Sequence, residues 1–207
     1  ERGRVTLSGS VDNLAAKRAA EQDARNTAGV LYVTNLLKVR PQSSLSDDLI
    51  EQRIGTALSW DTDVERYELT IKVRDGQARL RGSVDTRYER WRAEDITARI
   101  SGVQEVVNQI ETRKPWIWHP DRVIEASIRE QYKWSPYIDT GDIRIEVTDG
   151  SVTLKGSLDT WKQRVEAIEN AFQGGAKSVS DKLVVKNGEE FLPGLPFYDN
   201  FRYIAMR

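Results

Sequence analysis

The sequence predicts an α+β fold of tandem αββαβ units, each a three-stranded mixed sheet packed with two helices, with the first unit incomplete. An alternating apolar strand ending in Gly-Ser-x-Asp occurs as Val5-Thr-Leu-Ser-Gly9-Ser-Val-Asp12, Ala78-Arg-Leu-Arg-Gly82-Ser-Val-Asp85 and Val152-Thr-Leu-Lys-Gly156-Ser-Leu-Asp159. Its glycines lie 73 and 74 residues apart, and a helical run follows each copy. A fixed period of that length marks repeated small domains. Units of roughly 70 residues have thin cores, so packing against neighbours matters to their stability.

The first repeat, residues 1–40, keeps only a second strand, a helix from about Leu14 to Thr27, Gly29 and a last strand to Val39. Glu1-Arg2-Gly3 aligns with Arg74-Asp75-Gly76 and Thr148-Asp149-Gly150, the hairpin turns of the later repeats. The chain is therefore expected to start inside a domain, as a fragment of a longer protein or with its missing half supplied from elsewhere. One sheet edge and one sheet face lack their usual cover, which invites a partner.

The second repeat, residues 46–113, sets the template. Ser46-Asp47 precedes Leu49, Ile50, Ile54, Ala57 and Leu58, an apolar stripe behind a cap, and Trp60 closes this helix. Leu69, Ile71 and Val73 alternate with polar residues, Asp75-Gly76 turns, and Ala78, Leu80 and Val84 alternate again, giving a hairpin with one buried face. Asp85-Thr86 can cap a second helix, about Arg87 to Ile100, with Ala93, Ile96, Thr97 and Ile100 inward and the arginines outward; Gly102 stops it. Val103, Val106 and Ile110 form a third strand, which a crossover places parallel to the second.

The third repeat, residues 121–187, follows at an offset of 74: Asp121, Val123, Ile124, Ile128, Tyr132 and Trp134 replace Asp47, Leu49, Ile50, Ile54, Leu58 and Trp60. Trp60 and Trp134 read most simply as core or helix-end packing residues. The first linker, Arg40 to Leu45, is a short polar spacer. The second, residues 114–120, sets Trp116, Ile117, Trp118 and His119 between Pro115 and Pro120 and must pack against something. The tail, residues 188–207, carries Phe191, Phe197, Tyr198, Phe201 and Tyr203, too aromatic for a disordered segment. It is expected to dock on a domain or a neighbouring chain.

With 31 basic and 32 acidic side chains the net charge is −1, which argues against a protein built around nucleic-acid phosphates. The absence of cysteine removes disulfides and thiolate chemistry and leaves the redox compartment open. No run approaches the ~20 apolar residues of a membrane span, and no signal segment is visible, so the chain reads as soluble or peripheral.

Gly9/Asp12, Gly82/Asp85 and Gly156/Asp159 are not followed by Gly-Lys or joined by a second acidic cluster, so they read as structure: glycine for close packing at the strand end, Ser or Asp as helix cap. His119 stands alone and makes no metal site or triad. No catalytic, cofactor or metal residues are assigned. Trp116 and Trp118, outside both flanking units and beside Arg113, Lys114 and Arg122, suit either a clamp between domains or a membrane interface with anionic lipid.

The αββαβ unit, its Leu-x-Gly-x-Val strand, the small helix residues Ala20, Ala93 and Ala167, and the Gly-Val plus Val-x-Asn element resemble the BON domain. That last element stands as Gly29-Val30 with Val33 and Asn35, and as Gly102-Val103 with Val106 and Asn108; the third copy departs from it at Ala176 and Asp181. The resemblance implies a non-catalytic bacterial cell-envelope protein, often periplasmic and tandem, tied to osmotic stress, outer-membrane integrity and phospholipid surfaces, with no cofactor. The contact with phospholipid surfaces or envelope proteins is expected at Arg113, Lys114, Trp116, Trp118 and Arg122, residues chosen from local chemistry and not from the resemblance. The alternative is an assembly subunit that oligomerises through the incomplete first repeat and the aromatic tail.

Overall fold

The computed structural model describes residues 3–41, 45–64, 68–138, 141 and 143–186. Its contacts separate one compact unit running through Arg113 from another beginning at Lys114. In chain order the first repeat contributes β1 (Arg4–Leu7), β2 (Ser10–Val11), α1 (Leu14–Asn26), β3 (Tyr32–Asn35) and β4 (Lys38–Val39). The second contributes α2 (Asp47–Trp60), β5 (Leu69–Arg74), β6 (Gln77–Val84), α3 (Arg87–Arg99) and β7 (Glu105–Thr112). The third contributes α4 (Asp121–Trp134), β8 (Ile143–Thr148), β9 (Ser151–Leu158), α5 (Trp161–Gln173) and β10 (Ser178–Val185).

In both complete repeats the hairpin is antiparallel and the last strand joins parallel to its second strand, giving the orders β5-β6-β7 and β8-β9-β10. The two-residue turns place Asp75 and Gly76 at φ of +50° and +73°, and Asp149 and Gly150 at +51° and +75°, the geometry that matches strand twist. The first helix holds each turn. Asp47 accepts the Asp75 and Gly76 N–H groups at 2.7 and 3.1 Å, and Asp121 accepts those of Asp149 and Gly150 at 2.9 and 2.8 Å. Ile54, Leu58, Leu80, Val84 and Ala93 close the second core, each large side chain contributing about 1.5–3 kcal/mol by leaving water. In the third, Tyr132 replaces Leu58 and its hydroxyl donates to the Ala167 carbonyl at 3.0 Å. Burial pushes that phenol's pKa above its ordinary value, with Asp181 adding to the shift.

The repeated asparagine is a tether. Asn35 and Asn108 donate to the helix carbonyls of Lys17 and Arg90, both at 3.0 Å, and accept the N–H two residues on. Asp181 keeps the second bond, to Leu183 N–H at 2.9 Å, and replaces the first by pairing with Arg164. The sequence departure thus preserves the element.

Among the described residues the first repeat has only the two-stranded pairings β1–β3 and β2–β4, both parallel. No residue of α1 is buried. The repeat leans on α3: Asp12 accepts from the Ser101 hydroxyl at 2.8 Å and from Gly102 N–H at 3.0 Å, Arg18 meets Glu94 at 3.3 Å, and Leu14 packs against the second core.

Three expectations are corrected. The second-helix caps are Asn13, Thr86 and Thr160, not the motif Ser or Asp; Thr86 and Thr160 form reciprocal capping boxes with Glu89 and Gln163. The arginines of α3 do not all lie outside: Arg92 and Arg99 are 4% and 7% exposed, because α2 and α1 both pack against α3 and bury its flanks. Trp60 and Trp134 end their helices but belong to no core, being 52% and 80% exposed. Both stand on the outward stripe of their helix with Leu49 and Val123, which the sequence pattern grouped with the inward apolar stripe but which are exposed here.

Candidate functional site

Trp116 does not stand clear of the repeats. Its indole Nε1 donates to the Gly175 carbonyl at 3.0 Å, and Lys177 Nζ lies 5.4 Å from the ring centroid. The ring lies over the β8–β9 turn so closely that a Cβ on Gly150 would come within 2.5 Å of Cζ2. Trp116 is docked on the third repeat, while its neighbours Ile117 and Trp118 are 70% and 68% exposed. Lys114 and Arg122, on either side, are exposed as well. Arg113 belongs to the other unit and is already engaged: it binds Asp85 at 2.7 Å, the Ser83 hydroxyl at 3.3 Å, and Glu68. Within the third repeat the sequence-predicted site therefore reduces to an anchor, Trp116, and an exposed tip.

Sequence reasoning missed the outward stripe of the first helices. On α4 it runs through Val123, Ala126 and Glu130 to Trp134, and on α2 through Leu49, Gln52 and Thr56 to Trp60, a spacing of i, i+3, i+7 and i+11. The signal was present, since the tryptophan recurs at a helical interval from another apolar residue on a face that the buried stripe does not use. On α2 this face holds a shallow open groove of about 620 Å³ over Gly55. No group of three or more His, Cys, Asp or Glu side chains among the described residues is placed to hold a metal ion.

Three segments, residues 1–41, 46–114 and 120–187, match the BON domain. This chain belongs to the BON-domain family. It is 31% identical to Osmotically-inducible protein Y of Escherichia coli over 115 residues, 53% of this chain and 57% of that protein, so the match spans little more than half of the relative. Among solved structures it aligns with CdsD, a structural protein of the type III secretion system of Chlamydia trachomatis. The identity is 17%, with 99% of this chain and 87% of that one covered. The C-terminal domain of CdsD aligns at 17% identity over 87% and 83% of the two chains. Both have a TM-score of 0.28, too low to carry an argument.

Within the BON repeats the motif residues act on the fold. Gly82 has φ +131° and sits where a Cβ would run into the Glu68 carbonyl oxygen of the facing strand. Gly156, at φ +146°, and Gly9, at +125°, keep the same backbone conformation. At Gly9 the nearest atom to an added Cβ is Leu37 Cδ2 at 3.9 Å, because no described strand crosses there. Asp85 engages Arg113 and Asp159 faces Lys186 at 3.4 Å, while Asp12 serves the contact with α3. In the first BON repeat Leu31, Tyr32 and Leu36 are 73%, 65% and 58% exposed. The tail aromatics Phe191, Phe197, Tyr198, Phe201 and Tyr203 lie outside the described residues.

Proposed function

We propose that this tandem BON chain is a non-catalytic protein of the bacterial periplasm or cell envelope that contacts phospholipid surfaces, in the service of envelope integrity or osmotic stress. The observation that carries the reading is the anchored tip: Trp116 is fastened to the third repeat, and Ile117 and Trp118 project beside Lys114 and Arg122. A fixed apolar pair needs little ordering to enter a headgroup layer, and basic neighbours add attraction to anionic lipid. No helix among the described residues is long and apolar enough to cross a membrane, which leaves peripheral contact as the mode proposed. Linked repeats would raise avidity without strong individual sites.

Co-sedimentation with anionic and neutral vesicles tests it. Wild type should pellet with the anionic set, and Ile117→Ser/Trp118→Ser should stay in solution while keeping its circular dichroism. Equal binding by that variant would overturn the assignment.

A second reading is assembly through the open first repeat, favoured by the exposed Leu31, Tyr32 and Leu36 and the vacant space over Gly9. β-Strand addition there supplies main-chain hydrogen bonds, and the aromatic tail supplies anchors. In this case the oligomer persists without lipid and falls apart when residues 188–207 are removed.

A further inference from the structure

The first helices of the two complete repeats are the same length and start at equivalent aspartates, yet their outward faces differ in chemistry. On α2 the groove is lined by Asp48, Gln52, Gly55, Thr56, Ser59 and Trp60. It is acidic at its amino end, small in the middle and aromatic at its carboxyl end. Its remaining carboxylate, Glu51, is occupied by Lys72 at 3.0 Å and by the Val73 N–H at 3.3 Å. On α4 the positions of Asp48, Gly55 and Ser59 are taken by Arg122, Arg129 and Lys133. Arg129 is satisfied by Glu125 at 2.7 Å within its own helix, so Arg122 and Lys133 dominate the two ends of this face. Trp134 beside Lys133 is 80% exposed.

We infer that α4 of one molecule docks antiparallel into the α2 groove of a second copy of this chain. Both helices run 14 residues, so antiparallel alignment brings both pairs of ends into register. Lys133 and Trp134 then meet Asp48 and Leu49, an ion pair beside an apolar contact. Arg122 and Val123 meet Trp60, where the guanidinium can lie over the indole face. The middle sets Ala126 and Ser127 against Gly55 and Thr56, and side chains this small let two helices approach to about 8 Å. Gly55 is what opens the groove, since the arginine found at this position on α4 would fill it. Glu130, on the same ridge, meets the Gln52 amide in this register. A parallel alignment would also make one ion pair, Arg122 to Asp48, but it would set the two positive helix amino termini side by side, whereas the antiparallel one sets each beside a carboxyl-terminal end.

The contact is heterologous: each molecule offers one groove and one ridge, so a single contact leaves one groove and one ridge free for further contacts. Apart from Arg122, which also flanks the tip, it uses neither Ile117 and Trp118 nor the open first repeat, and Gly55, Trp134 and Asp48 test it separately from the readings above.

Light scattering on the full-length chain, run across a concentration series without lipid, tests it. Mass should grow with concentration. Gly55→Arg, which copies α4, and Trp134→Ala should each weaken association at least tenfold while folding as wild type by circular dichroism. Mixing these two variants should give a one-to-one dimer that grows no further, because one keeps only the ridge and the other only the groove. Asp48→Lys should weaken association and Asp48→Lys/Lys133→Asp should restore it. A wild-type mass that does not change with concentration would overturn the inference, as would growth that survives both Gly55→Arg and Trp134→Ala. Loss of vesicle binding in Trp134→Ala with unchanged self-association would likewise overturn it, assigning the face to lipid.

Discussion

The second and third repeats share strands, caps and turn-holding aspartates, but fasten the end of the first helix to the second helix with different chemistry. In the second, Arg92 reaches Asp61 at 2.9 Å and the Tyr88 hydroxyl donates to Asp63 at 3.1 Å. In the third, the residues at those four places are Glu166, Ser135, Lys162 and Tyr137: the Ser135 hydroxyl donates to Glu166 at 3.4 Å, and the Lys162 ammonium stands 3.7 Å from the Tyr137 ring centroid. Each position changed together with its partner. Backbone features specify the fold, and the seam needs only a complementary pair. The energies differ nonetheless. Burial opposes the charge on Arg92, but Asp61 and Asp95 outweigh it and hold the guanidinium's pKa above its ordinary value.

Breaking each seam should separate the repeats most. Arg92→Ala strands the buried Asp61 carboxylate and should cost the second repeat about 3–5 kcal/mol, whereas Glu166→Ala should cost the third under about 1 kcal/mol. Hydrogen-exchange mass spectrometry in urea reads both repeats in one molecule; equal losses would show that the two seams are energetically alike. Replacing the buried pair by Arg92→Met/Asp61→Leu should recover most of the loss, since a well-packed apolar pair avoids desolvating two charges.

The shared caps sharpen the comparison from the other side. Thr86→Ala and Thr160→Ala should each cost about 1 kcal/mol, and a difference well beyond that between them in the same exchange experiment would mean that the helices do not start equivalently. At the second latch, Tyr88→Phe should cost about 1 kcal/mol and Lys162→Met about 0.5 kcal/mol, measured by urea midpoints.

The smallest effect is on pH. In the third repeat Lys155 hydrogen-bonds Glu146 and holds its pKa below the usual carboxylate range. The second repeat has Lys72 and Arg81 at these positions. A depressed carboxylate contributes stability above its unfolded pKa and loses it as pH falls through the folded value. Glu146→Gln should therefore be slightly less stable than wild type at neutral pH and equal to it in acid, with added salt shrinking the gap; urea unfolding across pH checks this. A gap that persists in acid would assign the effect to something other than charge.

The element order, the parallel β7 and the hairpin turns were legible because their signals are local: alternation, Asp-Gly, and a glycine followed by a capping residue. The cap was legible only as the pair Asp85-Thr86, because both are capping types and only backbone dihedrals choose Thr86. The burial of Arg92 and Arg99 was not legible. It depends on Asp61, 31 residues from Arg92 in the chain, and on α1, which arrives from another repeat. At the candidate site, adjacency in sequence grouped Trp116 with Trp118, yet one indole is hydrogen-bonded to Gly175 and the other is exposed. Trp60 and Trp134 invited a core reading because they recur, although recurrence marks any position the repeat conserves in itself, including one that faces outward.

The hold of Asp47 and Asp121 on the hairpin turns also bears on how the protein ages. Asp-Gly is the dipeptide most prone to isomerise, through attack of the glycine nitrogen on the aspartyl side chain to form a succinimide. Here both glycine N–H groups are committed to a carboxylate, at 3.1 Å in one turn and 2.8 Å in the other, and both aspartates are locked at positive φ. A nitrogen so held is poorly placed to attack. Two sites that the bare sequence would mark as clocks of chemical damage are protected by the helices that precede them, and Asp47→Ala should start the first clock, as isoaspartate at residue 75 in an incubated sample.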